Sequence, residues 1–150
     1  MCIRDRLLDK EEVSFWDFEK HLRSYIRRQK KYSLGANVLI EINVENNFIL
    51  APSQSLNLMR IIQEALNNAR KYAEANRIEI SIYMEGTSLN VTVADNGKGM
   101  HLDQELEKGN GLKNMEFRSK EIDADFKIDS KIEKGTTISL KLQPKLENLP

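Results

Sequence analysis

"NRIEISIYMEGTSLNVTVADNGKGM", residues 76–100, alternates apolar and polar residues twice over. Ile78, Ile80, Ile82 and Met84 share one parity, Glu85-Gly86-Thr87 supplies a turn, and Leu89, Val91 and Val93 resume the alternation. A period of two with β-branched residues on one side marks a half-buried strand, and two such runs joined by a short glycine turn make a hairpin. Asp95 continues the parity of Val91 and Val93, so a carboxylate ends the apolar side of the hairpin. Two roles are open to it. It can cap the following turn, with Gly97 and Gly99 supplying positive φ. Or it can accept a hydrogen bond from an amino group on a flat ligand lying against the apolar face, the glycines letting that ligand approach the backbone.

The segments on either side complete a two-layer pattern. "SFWDFEKHLRSYIRRQKKY", residues 14–32, puts Phe15, Phe18, Leu22, Tyr25 and Ile26 at helical spacing behind a Ser14 N-cap. "NVLIEINV" then alternates Val38, Ile40, Ile42 and Val44 as a strand. Residues 53–73, opened by Pro52-Ser53, form a long helix with Leu58, Ile62, Ala65, Leu66, Ala69 and Ala73 on one broad face. Glu64, Asn68 and Lys71 line up opposite, either as a solvated row or as part of a polar site, while Asn67 falls off the row as plain surface. In "EKGNGLKNMEFR", residues 107–118, Gly109 and Gly111 precede a third helix marked by Leu112, Met115, Ser119 and Ile122. Such a start is an ordinary helix N-terminus or a place for phosphate. "DFKIDSKIEKGTTISLKL", residues 125–142, closes as a second hairpin turning near Glu133-Lys134-Gly135, with Thr136 in phase with Ile138 and Leu140. Its hydroxyl therefore faces the same interior as Asp95, which invites a shared ligand or water. One apolar face per strand and amphipathic helices predict an antiparallel sheet covered on one side by helices.

With 150 residues and 40% hydrophobic content the chain suits one domain with a real core. Lys+Arg and Asp+Glu both number 23, so no net field favours a nucleic acid or an acidic substrate, and binding has to come from a local site. Cys2 is the single cysteine and no apolar run reaches a membrane span of about 18 residues, which predicts a reducing, cytoplasmic setting without membrane contact by this domain. "MCIRDR" lacks a secretory apolar core and begins no periodic element. Residues 1–13 are expected to be a non-native or partial start, 14–143 the domain, and 144–150 a tail.

In this order and spacing the motifs resemble those of the GHKL (Bergerat-fold) ATPases, and more closely the ATP-binding domain of bacterial two-component sensor histidine kinases that signal to LuxR-type response regulators. "IIQEALNNARKYA", residues 61–73, is similar to the N box, "DNGKGM" to the first glycine box and "GNGLKNMEFR" to the second. The resemblance covers roughly residues 15–143. It implies an α+β two-layer sandwich with a mixed, mostly antiparallel sheet and helices on one face, binding Mg·ATP. It implies Asn68 and Glu64 at Mg²⁺, with Glu64, Asn68 and Lys71 as the catalytic row and Lys71 approaching the phosphates. Asp95 would accept the adenine amino group, with Thr136 supporting it through water. Gly97 and Gly99 would make room for nucleotide, and Gly109, Gly111 and Leu112 would shape the lid side.

The implied partners are a histidine-bearing dimerisation domain and, indirectly, a response regulator; the protein would be cytoplasmic or the cytoplasmic part of a membrane-anchored sensor. Tyr72 stands where the family's N box usually has histidine. Neither His21 nor His101 has the acidic context of a phosphoacceptor, so the acceptor is expected outside this chain. Two other functions share these motifs: a free-standing serine kinase of the anti-sigma type, and a nucleotide-gated interaction module without catalysis.

Overall fold

The computed structural model describes residues 12–30, 37–71, 74–99 and 110–145. The expected nucleotide contact of Gly109, the departure at Tyr72 and the lid position of His101 lie outside the described residues, as do the side chain of Lys71 and residue Ala73.

The elements follow in the order β1 (Val13–Ser14), α1 (Phe15–Lys30), β2 (Asn37–Asn43), β3 (Ile49–Leu50), α2 (Pro52–Lys71), β4 (Arg77–Glu85), β5 (Ser88–Asp95), α3 (Asn110–Glu121), β6 (Asp125–Lys131) and β7 (Gly135–Leu142). Local chemistry sets their ends. The Ser14 hydroxyl accepts the Asp17 amide at 3.2 Å and so caps α1. Pro52 occupies the first turn of α2, where its missing N–H costs nothing, and Gln54 reaches back to accept the Ala51 amide at 2.9 Å. The α3 helix stops at Asp123, whose φ of 51° lets Ala124 donate back to the Ser119 carbonyl at 2.9 Å.

The main sheet has the order β2-β4-β5-β7-β6. Three of its four pairings are antiparallel; β2 and β4 pair in parallel, Ile40 opposite Ile80. The wholly antiparallel sheet expected from the alternation is thereby corrected to the mixed sheet that the resemblance implied. The physical reason is the connection: α2 lies between β2 and β4, and a helical crossover returns the chain in the same direction.

The helix-facing residues Ile78, Ile80, Ile82, Leu89, Val91, Val93, Ile138 and Leu140 meet Leu58, Ile62, Ala65, Leu66 and Ala69 of α2 in one core, as their parities predict. The expected face of α1 is buried there too, except for the half-buried Tyr25. Two short strands escape the pattern: β1 and β3 form a separate antiparallel pair with Val13 opposite Leu50. Phe48, just before β3, stacks on Phe15 with ring centroids 4.9 Å apart. In this clip Val13 is buried, and Lys145 both bridges to Ile49 and pairs with Glu12 at 2.9 Å.

Candidate functional site

Asp95 ends β5 half-buried. Its Oδ1 accepts the Gly97 amide at 2.9 Å and the Thr136 amide at 3.3 Å, so this oxygen caps the turn and ties β5 to β7. Among the described residues Oδ2 takes no hydrogen bond, so a second acceptor remains on the helix-facing side of the sheet. Thr136 lies opposite Asp95 in register, and Ser130 opposite Thr136, which makes a polar row across β5, β7 and β6. The Thr136 and Ser130 hydroxyls are 2.7 Å apart, and Thr136 is 4% exposed.

Gly135, read only as a turn residue, has a second duty. Its φ is +101°, and a Cβ there would meet the Asp95 carbonyl oxygen. Only glycine lets β7 begin this close to Asp95. Gly99 is constrained by the chain itself: with φ at +71°, its missing Cβ would collide with the Lys131 carbonyl, so the loop after β5 packs on the β6–β7 turn. Glu133 donates to the Lys98 carbonyl at 2.6 Å in the same contact.

The loop also holds the connection that leads from α2 into β4. Asn96 Oδ1 accepts the amides of Asn76 and Arg77 at 3.2 and 3.0 Å, its Nδ2 donates to Asn76 Oδ1 at 2.6 Å, and Lys98 pairs with Glu74 at 3.0 Å. Glu64 and Asn68, half-buried on successive turns of α2, are therefore toward the end of the helix that meets the Asp95 loop. The first turn of α3 lies over them. A Cβ on Gly111 would be 2.5 Å from Glu64 Oε1 and 3.5 Å from Asn68 Oδ1. Among the described residues neither side chain has a hydrogen-bond or ion-pair partner. A carboxylate and an amide oxygen beside the unpaired amides of a helix start form a hard-donor set that suits a small divalent cation shared with phosphate.

Leu112 is 5% exposed and belongs to the core, so its side chain serves packing and only its backbone is available to a ligand. Asn67, expected as plain surface, is half-buried and lines a cavity of about 360 Å³ between the three helices. A larger cavity of about 910 Å³, lined by Ile42, Val44, Phe48, Tyr83 and Gly86, lies at the other end of β4 and contains none of the expected site residues. Chemistry, not size, picks the site.

Residues 53–146 match the family described as histidine kinase-, DNA gyrase B- and HSP90-like ATPase. The chain belongs to this family. Its ATPase-family relatives include sensor protein VraS of Staphylococcus aureus and of Staphylococcus haemolyticus, each 38% identical over 84 residues, which is 56% of this chain and 24% of the relative. The chain thus spans about a quarter of the length of those curated relatives. Among solved structures, mycobacterial sensor histidine kinase MprB superposes with a TM-score of 0.65 at 19% identity, over 91% of this chain and 99% of that one. Acinetobacter baumannii histidine kinase AdeS gives 0.64 at 16% identity, over 94% and 74%. At these identities the structural matches bear on the fold, which is the α+β sandwich of the GHKL type. Family membership makes this an ATP-binding domain, and the curated relatives named above are sensor proteins.

Proposed function

We propose that the chain binds ATP with Mg²⁺ and serves as the catalytic domain of a sensor histidine kinase, passing the γ-phosphoryl group to a histidine on a separate dimerisation domain. The observation that carries this is the approach of Gly111 to Glu64 and Asn68, which joins two sequence-distant motifs into one place for a metal-bound polyphosphate. Asp95 Oδ2, which takes no hydrogen bond among the described residues, then accepts the adenine amino group, and the Thr136 hydroxyl supports it through water. Gly97 and Gly99 shape the loop that the base meets, while Gly111 brings the first turn of α3 beside the phosphates, and Gly109 is assigned there by the resemblance alone. Lys71 is assigned to the phosphates by the resemblance alone.

Glu64 and Asn68 would hold the cation, which when bound neutralises charge on the phosphates. Phosphoryl transfer asks a protein mainly for positioning and charge neutralisation, and both are supplied here by fixed groups rather than by a nucleophile of the chain. We place the domain in the cytoplasm, upstream of a response regulator that receives the phosphoryl group from the histidine.

Calorimetric titration with Mg·ATP and Mg·ADP tests the site. Asp95→Asn puts a donor where an acceptor is needed and is expected to weaken both nucleotides by roughly 10- to 100-fold, the equivalent of losing a hydrogen bond to a charged group. Asn68→Ala is expected to reduce the difference between affinities measured with Mg²⁺ and with a chelator. Equal binding by wild type and both variants would remove the assignment.

A further inference from the structure

Arg60 and Arg70 of α2 and Arg118 of α3 line the cavity of about 360 Å³ between the helices, together with Tyr25, Gln29 and Asn67. None of the three guanidinium groups meets a carboxylate among the described residues. Arg70 donates to Gln29 Oε1 at 3.0 Å and to the Leu66 carbonyl at 3.4 Å, and Arg118 donates to Asn57 Oδ1 at 3.2 Å. Arg60 is exposed. Neutral partners hold the Arg70 and Arg118 guanidinium groups in place, and among the described residues no ion pair compensates any of the three, while Arg23, Arg77, Lys98, Lys120 and Lys145 do find acids.

We propose that this groove docks an acidic polypeptide segment of the phosphoacceptor partner; the proposal rests on the kinase function above and names the partner's chemistry. The spacing of the arginines favours a segment over a compact anion. Arg60 and Arg70 are ten residues apart on one helix, about 15 Å along its axis, which is the span of several side chains and not of one phosphate. Guanidinium groups spaced along a groove suit separate carboxylates, which they bind in a forked geometry. Glu64 lines the same groove. Glu64 also borders Gly111 and Asn68, so a segment seated along the groove passes beside the expected γ-phosphate.

Fluorescence anisotropy with two labelled synthetic helical peptides tests this: one rich in glutamate, the other with every glutamate replaced by glutamine. At low ionic strength the wild-type chain is expected to bind the acidic peptide and not its neutral counterpart. Arg60→Glu is expected to weaken the acidic peptide by roughly tenfold or more. Lys127→Glu, an equal charge change on an exposed residue of β6, is expected to leave it within about twofold, since screening limits distant charges. Equal losses in the two variants, equal binding of both peptides, or no binding of the acidic peptide would each overturn the docking proposal. If the wild type fails to bind Mg·ATP, the proposed function fails instead, whatever the peptides do.

Discussion

Asp95 was readable from parity alone: a carboxylate at the end of an apolar stripe has to face inward. What parity left open was how its two oxygens divide the work, and the structure gives the turn and Thr136 to Oδ1. Gly135 was not readable as a site residue, because its constraint comes from a strand 40 residues earlier in the chain. Gly135→Ala is expected to destabilise the protein by at least about 1–3 kcal/mol, the cost of a non-glycine residue in a strained backbone region, with the Cβ contact added to that. A thermal melt should show the midpoint several degrees lower, and an unchanged midpoint would contradict the close approach to the Asp95 carbonyl. Asn67 and Asn68, neighbours in sequence, part company in space: the second joins Glu64 under Gly111 and the first joins the arginines. Helical periodicity separated them by angle without saying what either would meet.

At the scale of elements, the three helices and five main strands among the described residues follow from periods of 3.6 and 2.0, because each presents one stripe to a common core. The pair β1 and β3 did not, since two residues are too few to show an alternation. Phe48 and Leu50, buried at 4% and 0% exposure, were therefore absent from the expected core. Phe48→Ala is expected to cost about 3–5 kcal/mol, as large-to-small changes in a packed aromatic contact do, and denaturant unfolding measures it. The link between α2 and β5 gives a subtler expectation. Asn96→Ala removes the acceptor shared by the Asn76 and Arg77 amides, so hydrogen exchange there should quicken while the amides of central β5 remain protected. Uniform acceleration would mean that Asn96 supports the whole fold and not the joint.

For the molecule as a whole, ligand binding and folding are linked: a nucleotide that binds only the folded chain stabilises it by about 2.7 kcal/mol at a hundredfold excess over Kd. Mg·ATP should raise the melting midpoint of the wild type, and Asp95→Asn should lose most of that rise at the same concentration. An equal rise in both proteins would put the nucleotide elsewhere. The clip described at the start of α2 has a mechanical side. Glu12 and Lys145 are ion-paired next to β3, while Asp95 and its loop meet the far end of α2, a helix of about 30 Å. A pull applied at Glu12 and Lys145 would therefore load the β1–β3 pair before any of it reaches the Asp95 loop.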